Sequence, residues 1–447
     1  MRAHRSVLAA AAVVLTTMAG GAAVIAAAPP QRPNVLVLLL DDARPESMVA
    51  MPRTRAWLGG NGRSYPNAVV TTPSCCPSRA SIWSGRYAHN HGVVAQNAIG
   101  RLDHDRTVVH DLKTAGYRTA VVGKLFNAWK IHKQPPYVDR WALAGGGYDN
   151  ALFNVDGKGV RARYSTTFIG EQINRYLDEF ERDDNRPWFV NAGFVTPHSP
   201  FTPEPKYANV PFTWDGSPAT READRSDKPR YVRNFGKSEA EGSRTRQAQL
   251  RTQLSADDAI ESIRRHLAAR GELANTLVVF LSDNGKFWSE HGLMEKFMPY
   301  DAAERVPLLI SLPGRIDRGT DNRLAANVDI TPTILDAAGL APSYATDGRS
   351  LLGGHRRDRI LTEYWRDSDN GAGIPPWAST LVPDRYRYTE VYDDSGRVTD
   401  REYYDLAADP WQLTNLYGDR KPGNDPAVGP LAAALAAQRR CAGAACP

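Results

Sequence analysis

Residues 35–42 read Val-Leu-Val-Leu-Leu-Leu-Asp-Asp, a run of aliphatic residues that ends in two adjacent aspartates. A continuous apolar run of this length is typical of a β-strand that is buried on both faces of a parallel sheet. In such sheets, ligand-binding groups gather at the carboxyl ends of the strands. We therefore expect residues 35–40 to form a central strand that presents Asp41 and Asp42 to a binding site.

Strands and helices alternate along the chain beyond this run. Strands are predicted over residues 119–122, 188–194, 276–281 and 306–312, and helices over residues 107–114, 164–181, 245–267 and 330–338. This alternation predicts an α/β fold, in which a large and mostly parallel mixed sheet is flanked by helices. The polar stretch 203–243, which is rich in Arg, Asp and Ser, is expected to be a long surface loop.

The character of the sequence changes near residue 355. Short tyrosine-rich strands are predicted over residues 386–391 and 401–404, and an alanine-rich helix is predicted from residue 430. These elements predict a smaller C-terminal α+β subdomain. We therefore divide the chain into a catalytic domain at residues 33–354 and a subdomain at residues 355–447.

The composition of the chain excludes some classes of function. Hydrophobic residues make up 42% and charged residues 23% of the 447 residues, which is typical of a globular protein with a large core. The formal net charge of +5 is small for this length. It slightly favours anionic ligands and does not indicate a nucleic-acid-binding protein.

The first residues predict a secretory signal. A basic start from Arg2 to Arg5 precedes an apolar run that extends to about Ile25, and three alanines then precede Pro29. This pattern is typical of a signal peptide with a cleavage site, here residues 1–28. We expect a secreted or extracytoplasmic protein, and the alternative is a membrane anchor formed by an uncleaved signal.

Two cysteines near the C-terminus are relevant to the expected extracytoplasmic location. Cys441 and Cys446 are separated by a short spacer of Ala and Gly. In an oxidising compartment they are expected to form a disulfide that closes a small loop. The alternative is two free thiols.

A second motif, at residues 75–86, reads Cys-Cys-Pro-Ser-Arg-Ala-Ser-Ile-Trp-Ser-Gly-Arg. It resembles the sulfatase signature, in which proline stands two positions and arginine four positions after a cysteine. Cys75 is followed in this way by Pro77 and Arg79, whereas the same count from Cys76 fails. The resemblance implies that a maturation enzyme oxidises Cys75 to formylglycine, the nucleophile of that family. The alternative is a structural pair of cysteines, either a disulfide or two buried apolar residues.

Oxygen-donor side chains follow two of the predicted strands. Asp41 and Asp42 end one strand, and Asp283 and Asn284 end another. Such a set suits Ca²⁺ or Mg²⁺, and there is no cluster of thiolate and imidazole groups of the kind that favours zinc. Each of these two segments alone is weak evidence for a metal site, since Ser-Asp-Asn-Gly is also a common turn. Together with Cys75 they resemble the metal site of the sulfatases, which implies that these five residues hold Ca²⁺, with Mg²⁺ as the alternative.

Basic residues complete the implied site. Lys124, His198 and Lys296 stand in segments that resemble the family's sulfate-binding segments. Their charge neutralises the oxygen atoms of an anionic ester. The resemblance implies that these three residues act in catalysis, and that Arg79 holds the formylglycine in place.

One segment departs from the pattern of the family. Many sulfatases have Gly-Lys-Trp-His where this chain has Gly-Lys-Leu-Phe at residues 123–126, so the histidine is absent. The chain is similar in this respect to the glucosamine-6-sulfatases, which also have the doubled cysteine and a stretch like that at residues 87–91. The general base is therefore open between Asn127, His91 and His291.

The resemblance extends from about residue 33 to about residue 420 and implies an alkaline-phosphatase-like sheet. It implies a hydrolase of sulfate monoesters, in which the hydrated formylglycine attacks sulfur, His198 or Lys296 protonates the departing alcohol, and sulfate leaves by C–O cleavage. The alternatives are a phosphonate monoester or phosphodiester hydrolase, a non-enzymatic carbohydrate-binding protein, and an unmodified, inactive chain in a cell that lacks the maturation enzyme. The implied partners are a sulfated sugar or another small sulfate ester and a formylglycine-generating maturation enzyme. We expect no nucleic-acid partner, and membrane contact only through the signal segment.

Overall fold

A ten-stranded mixed sheet forms the centre of this protein. The computed structural model describes residues 32–183, 185–367 and 373–447, so the predicted signal peptide at residues 1–28 lies outside the described residues. The strands are β1 (Asn34–Leu40), β2 (Arg63–Ser64), β3 (Ala68–Val69), β4 (Arg118–Gly123), β5 (Arg140–Ala144), β6 (Asp149–Val155), β7 (Lys158–Tyr164), β8 (Trp188–Gly193), β9 (Thr276–Ser282), β10 (Leu308–Ser311), β11 (Gly319–Thr320), β12 (Ala325–Ala326), β13 (Ile360–Tyr364), β14 (Trp377–Val382), β15 (Tyr386–Tyr392) and β16 (Val398–Asp405).

Helices cover both faces of this sheet. The α-helices are α1 (Pro52–Thr54), α2 (Cys75–Ser84), α3 (Ala88–His91), α4 (Val108–Thr114), α5 (Ser165–Phe180), α6 (Arg230–Arg233), α7 (Glu239–Arg270), α8 (Asp301–Glu304), α9 (Ile330–Ala337) and α10 (Val428–Gln438). Within the part of the chain that the structure describes, no helix is both long enough and apolar enough to cross a membrane.

The strands of the large sheet lie in the order β11-β2-β10-β9-β1-β8-β4-β5-β6-β7. The neighbours β9, β1, β8, β4 and β5 run parallel, and antiparallel strands flank them on both sides. Every residue of β1 is buried, because this strand lies near the middle of the sheet with a helical layer on each face. The predicted α/β fold with a mostly parallel mixed sheet is confirmed.

Successive side chains of β1 enter two different cores. Val37 belongs to a cluster with Trp83 of α2, on the face that α4 and α9 also cover. Leu38 belongs to a second cluster with Ile173 of α5 and Ile260 of α7. The alternation follows from the geometry of a strand, in which neighbouring side chains point to opposite faces.

The strands and helices that are predicted from apolar patterns agree well with the structure. Those predicted between residues 35 and 338 are present, and their bounds agree within two residues except for α7. The apolar runs do not predict β5, β6 and β7, because the last two have many exposed residues and leave a weak hydrophobic pattern. They also do not predict α2, since all ten of its residues are buried and no amphipathic period is visible.

The polar stretch 203–243 is only partly a surface loop. Tyr231 and Val232 of α6 are buried, and so is Lys228, which donates to the carbonyl oxygen atoms of residues 412 and 413. The end of the stretch forms the first turn of α7, where Ser238 and Glu241 make a capping box. The expectation of a surface loop over the whole stretch is therefore wrong.

The C-terminal region contains a separate antiparallel sheet of four strands, β13 to β16, followed by α10. This agrees with the predicted α+β subdomain, whereas the division between residues 354 and 355 stays a prediction. Cys441 and Cys446 form a disulfide, as expected, so the alternative of two free thiols is wrong. Cys75 and Cys76 are free and buried, so the alternative of a disulfide between them is wrong as well.

We expect Gly193→Ala to destabilise the sheet where β8 and β4 end. A Cβ atom at this position meets the carbonyl oxygen of Lys124 at 1.9 Å, a distance that only a movement of the backbone relieves. Overpacking of this kind lowers the free energy of unfolding by about 1–3 kcal/mol. Gly159→Ala in β7 is the control, because its Cβ has no atom within 4 Å. Equal unfolding midpoints of the two variants in urea contradict the prediction.

Candidate active site

The carboxyl ends of four adjacent parallel strands meet at one edge of the sheet. Asp41 and Asp42 follow β1, Asp283 follows β9, and Lys124 follows β4. His198 lies in the loop that follows β8. The parallel order β9-β1-β8-β4 therefore brings together residues that are far apart in the sequence.

Cys75 is the first residue of α2 and is fully buried. Its Sγ lies 2.8 Å from Lys296 Nζ and 3.4 Å from Asp41 Oδ1. Burial, reinforced by the negative charge of Asp283, raises the pKa of the Cys75 thiol to about 12. The unmodified thiol is therefore protonated at neutral pH, and a thiol is a much weaker nucleophile than a thiolate.

Two buried carboxylates pair with ammonium groups. Asp41 Oδ2 accepts from Lys124 Nζ, and Asp42 Oδ1 accepts from Lys296 Nζ. Burial alone raises the pKa of a carboxyl group, but the charges of Lys124 and His198 hold the pKa of Asp41 well below its usual range. Burial raises the pKa of Asp42, but the charges of Lys296, His198 and Lys286 together outweigh this effect and lower the pKa to about 2. Both groups are therefore carboxylates at neutral pH.

The third carboxyl group, that of Asp283, pairs with Arg79. Arg79 Nε donates to Asp283 Oδ2 at 2.7 Å, and Arg79 Nη1 donates to the carbonyl oxygen of Lys124 at 2.9 Å. Burial and the neighbouring Asp41 raise the pKa of Asp283. Arg79 thus connects the helix that begins at Cys75 to the ends of β9 and β4.

The oxygen donors of the site fit a hard cation. A carboxylate oxygen each of Asp41 and Asp42, the Sγ of Cys75 and an imidazole nitrogen of His198 all lie within 4.8 Å of one another. Asn284 Nδ2 donates to Asp42 Oδ1 at 2.6 Å, while Asn284 Oδ1 is buried with no hydrogen-bond partner among the described residues. A buried amide oxygen without a partner is rare, and it is a ligand that Ca²⁺ and Mg²⁺ accept.

His198 faces this cluster from the loop after β8. Its Nε2 lies 4.0 Å from Asp42 Oδ2, and its Nδ1 lies 2.8 Å from the carbonyl oxygen of Ser199. Tyr148 donates from its hydroxyl to the carbonyl oxygen of His198 at 2.7 Å. The side chain of His198 is 33% exposed, so it reaches both the buried carboxylates and the solvent.

The structure separates the three candidates for the general base. His91 Nδ1 accepts from the Val93 amide at 3.1 Å, so Nε2 carries the proton and donates to Ser81 Oγ at 3.0 Å. Burial lowers the pKa of His91 to about 3. Both nitrogen atoms of His91 are thus engaged in structural contacts.

The other two candidates, His291 and Asn127, differ in whether their side chains already have hydrogen-bond partners. His291 Nδ1 lies 2.8 Å from Glu222 Oε2, and its ring packs on Tyr300 with the ring centres 4.6 Å apart. Asn127 has a buried Oδ1 with no hydrogen-bond partner among the described residues. Asn127 is therefore the candidate with an unused side-chain acceptor, and this amide oxygen accepts hydrogen bonds but does not take up a proton at neutral pH.

One residue near the site was missed in the sequence. Lys286 is buried, and its Nζ donates to Glu295 Oε2 at 2.6 Å. Its charge helps to lower the pKa of Asp42 against the opposing effect of burial, and contributes less than the charges of Lys296 and His198. The signal that could have found it is its position, two residues after Asn284 at the same strand end.

The chain matches two family models. Residues 33–340 match the model described as Sulfatase. Residues 289–438 match the model described as N-sulphoglucosamine sulphohydrolase, C-terminal. The first match covers most of the chain, and it includes the elements that form the candidate site up to Lys296.

Several curated proteins are similar to this chain. It is 31% identical over 362 residues to the extracellular sulfatase SULF-1 homolog of Drosophila melanogaster, covering 75% of this chain and 32% of that protein. It is 30% identical to the putative extracellular sulfatase Sulf-1 homolog of Caenorhabditis elegans, covering 79% and 52%. The chain thus spans about a third and about half of these relatives. It is 29% identical to the N-acetylglucosamine-6-sulfatase of Homo sapiens, covering 86% and 81%.

Solved structures share the fold. One, of a protein in complex with its substrate D-glucosamine-2-N,6-O-disulfate, has a TM-score of 0.74 at 23% identity and covers 91% of this chain and 96% of its own. The phosphonate monoester hydrolase of Agrobacterium radiobacter has a TM-score of 0.71 at 22% identity, with the same coverage. At these identities the likeness concerns the fold alone, and the expected fold class is confirmed.

We expect His91→Asn to change how stability depends on pH. The folded pKa of His91, about 3, lies below its unfolded value of 6.5, so the unfolded state binds the extra proton. The stability contributed by neutral His91 is complete above pH 6.5 and is lost as the pH falls toward 3. Between pH 7.5 and pH 5 the wild-type protein loses about 2 kcal/mol that the variant does not lose.

The measurement is the free energy of unfolding of both proteins at the two pH values. The deficit of the variant relative to the wild-type protein is expected to shrink by that amount at pH 5. All other titrating groups are shared and cancel in the difference. A deficit that is the same at both pH values contradicts the structural role of His91.

Proposed function

The chain belongs to the sulfatase family, and we propose that it is a sulfuric ester hydrolase that converts a sulfate monoester to an alcohol and inorganic sulfate. The observation that carries this proposal is the environment of Cys75. Its Sγ contacts Lys296 and Asp41 at the edge of a cluster that includes Asp42 and His198. A candidate nucleophile, candidate cation ligands and basic side chains thus lie in one cluster.

We propose that a maturation enzyme oxidises Cys75 to formylglycine. The environment supports this step, because the raised pKa of the buried thiol leaves the unmodified residue unreactive. Cys75 is also the cysteine of the pair that lies in this cluster, whereas Cys76 Sγ lies 3.8 Å from the carbonyl oxygen of Asn127. Formylglycine at this position supplies a hydrated aldehyde as the nucleophile.

The proposed cation ligands are Asp41, Asp42, Cys75, Asp283 and Asn284. Their oxygen atoms favour Ca²⁺, with Mg²⁺ as the alternative. The ion supplies positive charge that stabilises an anionic nucleophile and the sulfate oxygen atoms.

The basic residues hold the ester and move protons. Lys124 and Lys296 each carry a positive charge next to the carboxylates, where they neutralise the non-bridging oxygen atoms of sulfate. Lys296 is buried against residue 75, whereas His198 reaches solvent. We therefore propose that His198 donates a proton to the departing alcohol. Lys296 and Arg79 orient residue 75.

We propose a sulfated carbohydrate as the substrate. The relatives named N-acetylglucosamine-6-sulfatase and the neighbour in complex with a sulfated glucosamine support this class. We also propose an extracytoplasmic location, supported by the relatives named extracellular sulfatases and by the predicted signal. The catalytic part is proposed to extend over residues 33–354, with the subdomain at residues 355–447.

We expect Cys75→Ala to abolish turnover of 4-nitrophenyl sulfate, because alanine provides no nucleophile. The loss of kcat is expected to be about 1,000-fold or more, the scale seen when a catalytic nucleophile is removed. Cys76→Ala is the matched control, since the neighbouring thiol has no role in the chemistry, and its kcat stays within a few-fold of the wild-type value. Near-normal activity of Cys75→Ala, or an equal loss in Cys76→Ala, contradicts the assignment.

A comparison of substrates separates sulfatase activity from phosphonate monoester hydrolysis. We expect kcat/KM for 4-nitrophenyl sulfate to exceed that for 4-nitrophenyl phenylphosphonate by about 100-fold or more, an energy difference of about 2.7 kcal/mol. The family match to sulfatases motivates this direction, since the likeness to the phosphonate hydrolase concerns only the fold. Faster hydrolysis of the phosphonate assigns the chain to the alternative reaction.

A further inference from the structure

A buried glutamine of α7 joins three loops of the site. Gln249 Nε2 donates to the carbonyl oxygen of Asp42 at 3.2 Å and to that of Pro197 at 3.0 Å. Gln249 Oε1 accepts from Trp288 Nε1 at 2.6 Å. Both donor hydrogens and the acceptor of this amide are thus used. The three partners follow β1, β8 and β9, the strands whose ends form the site.

The backbone that Gln249 holds is strained. Asp42 has a φ of 69°, in the left-handed region that residues with a side chain rarely adopt. Such a conformation persists only where the surrounding structure enforces it. The Asp42 amide donates to Asp283 Oδ1 at 3.2 Å, and its carbonyl accepts from Gln249, so both ends of the residue are fixed.

Through its contact with the carbonyl oxygen of Pro197, Gln249 also holds the loop that carries His198. Pro197 directly precedes His198, whose Nε2 faces Asp42 Oδ2. One amide group therefore fixes the distance between the backbone of a proposed cation ligand and the backbone of the proposed acid. Residue 249 lies in the interior of the long helix α7, so its backbone is held by the hydrogen bonds of the helix.

A second buried glutamine on the same helix, Gln253, contacts none of the proposed cation ligands and serves as a control. Gln253 lies one turn after Gln249 and is also buried, with its Nε2 donating to Ser47 Oγ at 2.9 Å. The groups that its Nε2 contacts, Ser47 Oγ and Met51 Sδ, are outside the proposed ligand set. The two residues are thus chemically identical and differ in what they hold.

We propose that Gln249 is a positioning residue, which holds the Asp42 and His198 loops in the arrangement that binds the cation and the ester. The proposal rests on the proposed function, since it takes Asp42 as a cation ligand. It predicts that loss of Gln249 weakens cation binding and lowers kcat, beyond any loss of stability. It predicts no such effect for Gln253.

The test compares Gln249→Met with Gln253→Met in the full-length protein after treatment with EDTA. The readout is the half-maximal Ca²⁺ concentration, at which half of the folded protein holds the ion. It is obtained by fitting the rise of the melting temperature with Ca²⁺ concentration, since a ligand of the folded state at free concentration L stabilises it by RT ln(1 + L/Kd). We expect this concentration to rise about tenfold or more in Gln249→Met, the scale seen when a residue that orients a metal ligand is lost, and to change less than threefold in Gln253→Met. A Gln249→Met value within threefold of the Gln253→Met value overturns the proposal.

A second variant decides the matter if Gln249→Met does not fold. Trp288→Phe removes the donor that holds Gln249 Oε1 and leaves both carbonyl contacts chemically possible. We expect the half-maximal Ca²⁺ concentration to rise more than threefold in this variant, and a smaller change overturns the proposal. If neither Ca²⁺ nor Mg²⁺ stabilises the wild-type protein, the cation site of the proposed function fails together with this inference. Stabilisation of the wild-type protein with unchanged variants removes only the positioning role.

Discussion

Each buried carboxylate at the carboxyl end of the parallel strands is paired with a cation that comes from a different segment of the chain. Asp41 pairs with Lys124, Asp42 with Lys296, and Asp283 with Arg79. Removing one partner of such a pair leaves an uncompensated charge in the interior, which is strongly destabilising. The strand ends, the first turns of α2 and the loop before α8 are therefore mutually dependent. The geometry around Cys75 follows from this compensation of charge.

The same groups also account for the chemistry that the site can support. A concentration of positive charge next to ionised carboxylates suits both a hard cation and an anionic ester. Burial raises the pKa of the Cys75 thiol, so the unmodified residue is protonated at neutral pH and is a weak nucleophile. His198 is partly exposed, so its side chain lies between this interior and the solvent. These properties fit the family to which the chain belongs.

Much of this arrangement could be predicted from the sequence, because its strongest signals are local. The apolar run that ends in Asp41 and Asp42 predicts the central strand, and the spacing of Pro77 and Arg79 selects Cys75 over its neighbour. The residues around the site were harder to predict. Nothing near Gln249 in the sequence indicates that it meets two strand ends and a tryptophan, since those contacts join segments far apart in the chain.

The choice among the candidate bases likewise required the structure. His91 and His291 look equivalent in the sequence, and both are engaged in structural hydrogen bonds. The polar stretch 203–243 predicts a surface loop, but a polar sequence does not reveal that Lys228 and Tyr231 are buried against the C-terminal region.

The most direct measurement is mass spectrometry of the peptide that contains Cys75 and Cys76, from protein produced together with a formylglycine-generating enzyme. We expect the mass to show that one sulfur atom is replaced by an aldehyde oxygen, with the fragment ions placing the change at residue 75. Two intact thiols in that peptide, or a change at residue 76 alone, contradict a formylglycine nucleophile at the centre of this site.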